Sequence, residues 1–240
     1  MTLSEPEIGA LLATVARVGG LAATAPAIGD QGVPMRARLV FVLVVTAAIG
    51  LSRPPVAFSV LPATAALELA IGLLTGLTAR MVMQRIAIAG QVMGLSLGLG
   101  FAAQYDVHAG ESAGVLRSII TSLASLAFLT AGGLEAVVRS AAASPADLSQ
   151  LTALGPAFVH HATAAFGNGL ALAAPILLAA FVANVALAVM NRAAPAINVF
   201  SIALSAILVI GGLVLLATAA QLVAGITDTA RAAIDAIAGS

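Results

Sequence analysis

Glu68 is the side chain most open to a chemical role, because it lies in the middle of a long apolar stretch, Val56–Ala79. An ionisable group in such a stretch is costly to bury and marks a function by default, so the carboxylate could serve as a proton or ion site. The alternative is a carboxylate that faces protein or a wet lumen and is paired with an arginine. No second acid at similar depth accompanies Glu68, and this favours the paired carboxylate.

Two adjacent histidines, His160 and His161, could suggest a metal site. Adjacent residues point to different faces of a helix, whereas metal-binding pairs usually stand three or four residues apart. No acid and no cysteine lies nearby, so we predict no metal site here. The sequence also has no nucleophile elbow, no P-loop and no paired carboxylates, so we predict that the protein is not an enzyme and holds no cofactor.

Gly94 and Gly98 form a Gly-x-x-x-Gly pattern, which predicts a helix face where two backbones approach closely. A nucleotide-binding loop is the weaker interpretation, since that motif follows a strand. The stretch Gln104–Ser112 is the most polar one between two apolar segments, and it holds the only Tyr. Its composition favours a solvated hairpin loop over a constriction in a pore.

The composition places the chain among membrane proteins or apolar subunits of a larger assembly. Apolar residues make up 61% of the sequence and charged residues 8%, with a net charge of +0. Soluble domains carry roughly 25% charged residues, so this chain could not cover itself with a polar surface. No clustered basic surface is present, which excludes a nucleic-acid partner.

Charged and polar breaks divide the chain into apolar segments, and these predict an all-α, multi-helix membrane protein. The predicted segments are Ile8–Gly29, Leu39–Leu51, Val56–Ala79, Ile86–Ala103, Gly114–Val138, Leu170–Met190 and Ile197–Gly225. Residues 139–169 are predicted as the longest connection, with a helix start near Pro145. Residues 227–240 are predicted as a short polar cap.

The arginines predict a topology if every segment crosses the membrane and the N-terminus is outside. More arginines then face the cytoplasm than the exterior, in agreement with the positive-inside rule. The cytoplasmic set is Arg36, Arg38, Arg80, Arg85, Arg139 and Arg231, and the external set is Arg53 and Arg192.

Three stretches, taken in order, resemble the FliR family of flagellar export proteins, whose injectisome relatives are called SctT. They are Arg17–Ile49, Gly72–Ala102 and Ala171–Gly212. The third is the most specific, because Asn-x₆-Asn-Arg-x-x-Pro between two apolar helices is rare. The residues that match the family pattern are Pro26, Pro34, Arg36, Gly94, Gly98, Pro175, Asn184, Asn191, Arg192, Pro195 and Phe200.

The resemblance implies a structural, pore-forming subunit of the type III protein export gate in the bacterial inner membrane, within the flagellar basal body. Such a subunit assembles with P and Q subunits and other export-apparatus membrane proteins, and it passes unfolded export substrates. The fold implied is one domain, 1–240, built of helical hairpins, with a P-like part at 1–169 and a Q-like hairpin and tail at 170–240. These residues do not separate the flagellar from the injectisome branch.

The resemblance also reverses the interpretation of the polar loop, because it matches the plug of the closed pore in that family. The plug residues implied are Phe101, Tyr105, Asp106, Val107, His108, Ala109, Gly110, Glu111 and Ser112. The alternative function is a proton-coupled secondary transporter that uses Glu68. Paired broken helices and internal pseudo-symmetry, which such a transporter would show, are not evident in the sequence.

Overall fold

The computed structural model describes residues 4–30, 32–98, 114–193 and 199–239. Within these ranges the chain is helical and contains no strand, which confirms the predicted all-α class. The helices are α1 (Glu5–Thr24), α2 (Met35–Ile49), α3 (Leu61–Ser96), α4 (Val115–Thr130), α5 (Gly133–Ala142), α6 (Leu148–Ala193), α7 (Val199–Ala217) and α8 (Ala219–Ala238). A short 3-10 helix, Gly50–Ser52, follows α2.

The chain forms two compact units that are not contiguous in sequence. Unit 1 consists of Met1–Met83, Ser125–Ala164 and Thr229–Ser240, and unit 2 consists of Gln84–Ala124 and Ala165–Asp228. The predicted boundary at residue 169 separates a part that resembles P subunits from a hairpin that resembles Q subunits, and it stays a prediction.

Small residues on α1 and α3 let these two helices approach closely in unit 1. A Cβ atom added at Gly20 would lie 2.8 Å from the Leu69 carbonyl oxygen, and one added at Gly72 would collide with the Arg17 carbonyl oxygen. The Thr24 hydroxyl donates a hydrogen bond to the Leu73 carbonyl oxygen at 3.1 Å, which also requires close backbones. Close packing of α1 on α3 is what brings their charged residues together.

The predicted break between the third and fourth apolar segments is wrong, because α3 runs without interruption from Leu61 to Ser96. Arg80 and Arg85, which bound the predicted break, are good helix formers, and neither Gly nor Pro stands between them. A charge alone does not end a helix. At 1.5 Å per residue α3 is about 54 Å long.

The fifth and seventh predicted segments each contain a sharp bend. α4 and α5 meet at 59°, where Gly132 adopts a left-handed conformation with φ of 97° that residues with a Cβ atom rarely tolerate. The helical pair Ser205–Ala217 and Ala219–Ala238 is bent by 62°. The C-terminal residues are helical to Ala238, so the predicted polar cap is wrong.

The predicted connection of residues 139–169 is also wrong in length, because α6 already begins at Leu148, close to the predicted start near Pro145. His160 and Asn168 are exposed on the surface of α6 and do not interrupt it. The Ser149 hydroxyl donates a 2.6 Å hydrogen bond to the Asp147 carboxylate and lowers its pKa. Because the pKa of Asp147 is lowered, this contact stabilises the fold at neutral pH. The stabilisation is lost as the pH falls through that pKa.

In the described part of the chain, four helices are long and apolar enough to cross a membrane, or up to six if each bent pair crosses once. The helices are those of Glu5–Thr24, Met35–Ser52, Leu61–Ser96 and Leu148–Ala193. A multi-pass membrane protein is therefore supported, but the supposition of seven separate crossings is wrong. The main reason is that the third and fourth segments form one helix.

Candidate functional site

Glu68 lies in the interior of unit 1 and is paired with two arginines. The Arg17 Nε atom is 2.5 Å from Glu68 Oε2, and the Arg53 Nη2 atom is 3.3 Å from Glu68 Oε1. All three side chains are almost inaccessible to solvent. The structure thus shows the paired carboxylate, which is the alternative that the sequence favours.

Three separate elements bring this cluster together. Glu68 lies on the second turn of α3, Arg17 lies on α1, and Arg53 directly follows the 3-10 helix after α2. The glycine contacts between α1 and α3 place Arg17 against Glu68. Arg53 comes within reach because the next segment returns to α1, where the Val56 N–H donates to the Pro6 carbonyl oxygen at 2.9 Å.

The cluster also holds the connection between α5 and α6. Arg17 Nη1 donates to the Ser144 carbonyl oxygen at 3.0 Å, and Arg53 Nη2 donates to the Ala143 carbonyl oxygen at 3.0 Å. The Ala146 N–H donates to Glu68 Oε1 at 3.0 Å. The two guanidinium groups therefore face the C-terminal end of α5, where free carbonyl groups carry partial negative charge.

The three side-chain charges of the cluster do not sum to zero. Two guanidinium groups face one carboxylate, and the partial charge of about −0.5 at the C-terminus of α5 offsets part of the excess. Protonating Glu68 would leave Arg17 and Arg53 buried without a counter-charge, which is expensive in a protein interior. This arrangement suits a fixed structural contact better than a proton-coupled transport cycle.

A second polar cluster in unit 1 surrounds Asp30, in the turn between α1 and α2. Arg80 Nη2 lies 3.1 Å from Asp30 Oδ1, and the Ser125 hydroxyl donates to Asp30 Oδ2 at 3.3 Å. Arg38 donates to the main-chain carbonyl oxygen of Asp30. These contacts hold the turn against α3 and α4. Because Asp30 is partly exposed, they contribute less to the free energy of unfolding than the contacts of the buried cluster.

The described residues line two small cavities. One cavity of about 40 Å³ lies beside Arg53, Glu68 and Pro145 in unit 1. Another, of about 100 Å³, lies in unit 2 and is lined mainly by apolar side chains such as Met93 and Ile176. The described ranges contain no group of acidic or histidine side chains that could hold a metal ion.

The structure places the family-matching residues in several environments. Pro26 is buried after α1, Pro34 precedes α2, and Pro175 lines the cavity in unit 2. Asn184, Asn191 and Arg192 are exposed near the C-terminal end of α6, and Phe200 lies in α7. Pro195 and the plug residues Phe101, Tyr105, Asp106, Val107, His108, Ala109, Gly110, Glu111 and Ser112 lie outside the described residues.

The predicted common face of Gly94 and Gly98 is wrong. Gly98 lies beyond the end of α3 and has a φ of 73°, so it terminates the helix in the left-handed conformation. A close approach in unit 2 occurs instead at Gly90, where an added Cβ would lie 2.8 Å from the Cα of Arg117, and another at Gly169. Gly72 and Gly76, which were not among the predicted packing residues, show the same spacing within α3 and lie against α1.

Comparison with known proteins identifies the relatives of the chain. Residues 8–233 match the family described as "Bacterial export proteins, family 1". The flagellar biosynthetic protein FliR of Escherichia coli K12 is 31% identical over 204 residues, which cover 81% of this chain and 78% of that protein. FliR of Caulobacter vibrioides is 30% identical over 236 residues, which cover 92% of each chain.

Proposed function

The chain belongs to the bacterial export proteins, family 1, the family of the flagellar FliR proteins, and on this premise we propose that it is a pore-forming structural subunit of the flagellar type III export gate. In this role it assembles with P and Q subunits and passes unfolded export substrates across the bacterial inner membrane. The proposed setting is the flagellar basal body, together with the other membrane proteins of the export apparatus.

The length and surface of α6 carry this proposal. At 46 residues the helix is about 69 Å long, whereas the hydrocarbon core of a bilayer is about 30 Å thick. Large apolar side chains are exposed along both halves of the helix, among them Leu148, Val159 and Phe166 and, in the C-terminal half, Phe181 and Val189. A bilayer core can cover only part of such a helix, so a multi-subunit assembly accounts for the rest of its apolar surface.

Polar groups on the C-terminal half of α6 also favour a protein neighbour. Asn184 and Asn191 are both exposed, and their spacing of seven residues places them on one side of the helix. An amide group facing lipid would lose its hydrogen bonds, whereas one at a helix–helix interface can bond across it. We propose that this side faces another subunit of the gate.

The plug role of residues 101–112 belongs to the same proposal. Ala109, Gly110 and Ser112 are small enough to let this loop move, while Phe101 and Tyr105 can fill space in the passage. Apolar constrictions can close a pore by excluding water. The family resemblance of this stretch supports the role.

Co-purification tests the proposal most directly. The full chain should be produced with the P and Q subunits encoded in the same genome, isolated through a tag on this chain, and imaged as single particles. A particle with a central passage that contains all three subunits is the expected result. A chain that remains alone under conditions in which P and Q associate with each other would contradict it.

Deleting residues 105–112 should raise ion leakage through the assembled gate. The physical reason is that an open passage conducts ions when the groups that exclude water are removed. Conductance across vesicles that contain the purified complex measures the effect, and the intact complex is the control. Unchanged conductance in a correctly assembled deletion complex would count against the plug.

A further inference from the structure

A proline inside α6 leaves one backbone carbonyl group without its helical hydrogen bond. Pro175 has no N–H, so it cannot donate to the carbonyl oxygen of Ala171, four residues earlier in the same helix. A carbonyl group without a donor is costly in an apolar setting, and in membrane helices a neighbouring side chain or an ordered water molecule can supply the donor. The Ala171 carbonyl oxygen is therefore an acceptor open to a donor from outside the helix.

Another helix break in unit 2 lies at Thr218, between α7 and α8, where the chain bends by 62°. The Thr218 N–H donates to the Val214 carbonyl oxygen at 2.9 Å, and the Thr218 hydroxyl donates to the same residue's carbonyl oxygen at 2.8 Å. The hydroxyl oxygen keeps lone pairs that can accept hydrogen bonds. Thr218 thus offers a further acceptor at the bend.

The two breaks border the same cavity, the one of about 100 Å³ in unit 2. Ala171 and Pro175 line it together with Thr218 and Gln221. The side-chain amide of Gln221 has two N–H donors and one acceptor oxygen. Hydrogen-bonding groups from α6, from the bend and from α8 are therefore gathered around one space.

The size and lining of this cavity suit water. Ala171 and Gln221 are exposed, whereas Met93 and Ile176 are each only 1% exposed, so the cavity joins surface residues to the core. A bound water molecule needs a space of at least about 10–15 Å³ and two to four polar partners, and a wholly apolar cavity stays dry. This cavity exceeds that volume, and the polar groups of α6, the bend and α8 provide the partners.

We propose that this cavity is a water-binding site that links the two helix breaks. An ordered water molecule donates hydrogen bonds to the Ala171 carbonyl oxygen and to the Thr218 hydroxyl oxygen, and it accepts one from the Gln221 amide. Water can donate two hydrogen bonds and accept two, so all three bonds form at once. The break at Pro175 and the bend between α7 and α8 are thereby coupled through solvent. This site goes beyond the export-gate role and does not depend on the partner subunits.

Radiolytic footprinting of the full chain in detergent tests for the water. X-rays convert bound water into hydroxyl radicals, which oxidise the side chains beside it, and methionine is among the most reactive. Met93 lines the cavity, whereas Met83 does not. Met83 is 9% exposed and Met93 only 1%, so solvent exposure alone predicts faster oxidation of Met83. We expect Met93 to be oxidised faster, and oxidation of Met93 no faster than that of Met83 would overturn the water site.

A drier cavity should protect the same methionine. Thr218→Val combined with Gln221→Leu removes the polar side-chain partners at similar volume, so the oxidation rate of Met93 should fall to that of Met83 or below. Thr227→Val is the matched control, because the Thr227 hydroxyl also bonds to the carbonyl oxygen four residues earlier but does not line the cavity. Oxidation of Met93 that is equal in the double variant and the control would overturn the proposal.

A double-mutant cycle tests the coupling between the two breaks. Pro175→Ala restores an N–H for the Ala171 carbonyl oxygen, so the Gln221 amide should matter less in that background. We expect Gln221→Leu to raise the equilibrium constant for unfolding about fivefold in the native sequence, which corresponds to about 1 kcal/mol for one hydrogen bond, and less than about twofold with Pro175→Ala. Pro156→Ala, at the other proline of α6, should leave the fivefold effect unchanged. An equal effect of Gln221→Leu in all three backgrounds would overturn the coupling.

Discussion

Glu68 stabilises a contact among three parts of the chain that are far apart in sequence. The sequence favoured a carboxylate that faces protein or a wet lumen and is paired with an arginine, because no second acid at similar depth accompanies it. It did not identify Arg17 and Arg53 as the partners, because the choice depends on how α1 and the segment after α2 pack against α3. Pairing of this kind is set by tertiary packing and cannot be read from residue types alone.

Glu68→Gln should lower the free energy of unfolding by about 3–5 kcal/mol, because it leaves buried guanidinium groups without their carboxylate. Thermal unfolding of the full chain in detergent measures the loss, and protease cleavage near Ala146 reports release of the α5–α6 connection. Glu135→Gln is the matched control, since its exposed ion pair with Arg139 should contribute no more than about 0.5 kcal/mol. Similar unfolding of both variants would contradict a structural role for the buried cluster.

Two adjacent glycines in α1 allow a sharper test of the α1–α3 contact. Gly20→Ala should destabilise the chain by about 1–3 kcal/mol, because the new methyl group would meet the backbone of α3 at Leu69. Gly19→Ala should stabilise it by up to about 1 kcal/mol through helix propensity, since nothing lies within 4 Å of its added Cβ. Denaturant unfolding compares the two, and equal effects would argue against the close approach.

At the level of helices, sequence patterns correctly predicted some helix boundaries from polar stretches. The same patterns predicted false boundaries where polar residues lie on the surface of a continuous helix. The starts of α1 and α2 lie within a few residues of the predicted segments. The merger of two segments into α3 was missed, because Arg80 and Arg85 were treated as a break. The bend at Gly132 was missed for the opposite reason, since the apolar run continues through it.

Asn184→Leu should weaken association with the partner subunits while leaving the fold of the isolated chain intact. The proposed reason is the loss of a hydrogen bond across a helix–helix interface, which contributes about 1–2 kcal/mol in membranes. Co-purification yield relative to the unmodified chain is the measurement. Asn168→Leu is the control, because Asn168 is exposed on the same helix but lies on the opposite side from Asn184. Equal yields for both variants would contradict the assignment of this side.

At the scale of the whole molecule, each compact unit combines residues that are distant in sequence. Unit 1 includes both the N-terminal helices and the last residues of α8, where Ala230, Ala233 and Ile237 are fully buried. The sequence suggested a polar cap at this terminus because Asp228, Arg231 and Asp235 are spaced through it. The buried residues between these charges form an apolar stripe of helical period, a pattern that the sequence contains but that the spaced charges obscured.

Truncation after Asp228 should therefore destabilise unit 1, because it removes buried side chains such as Ile237. The expected result is faster hydrogen exchange in the rest of unit 1, measured on the full-length and truncated chains in the same detergent. Removal of Gly239 and Ser240 alone is the control, since Gly239 is exposed beyond α8. Exchange in the rest of unit 1 that matches the intact chain would contradict this part of the fold.

The split composition of unit 1 has a consequence for biosynthesis. Translation proceeds from the N-terminus, so residues 229–239 emerge from the ribosome after all other described parts of the unit. The parts of unit 1 that are made early must wait for residues 229–239 before the unit is complete. A ribosome stalled within α8 would hold a nascent chain in which unit 1 still lacks residues 229–239, and quality-control proteases would have access to it during that interval.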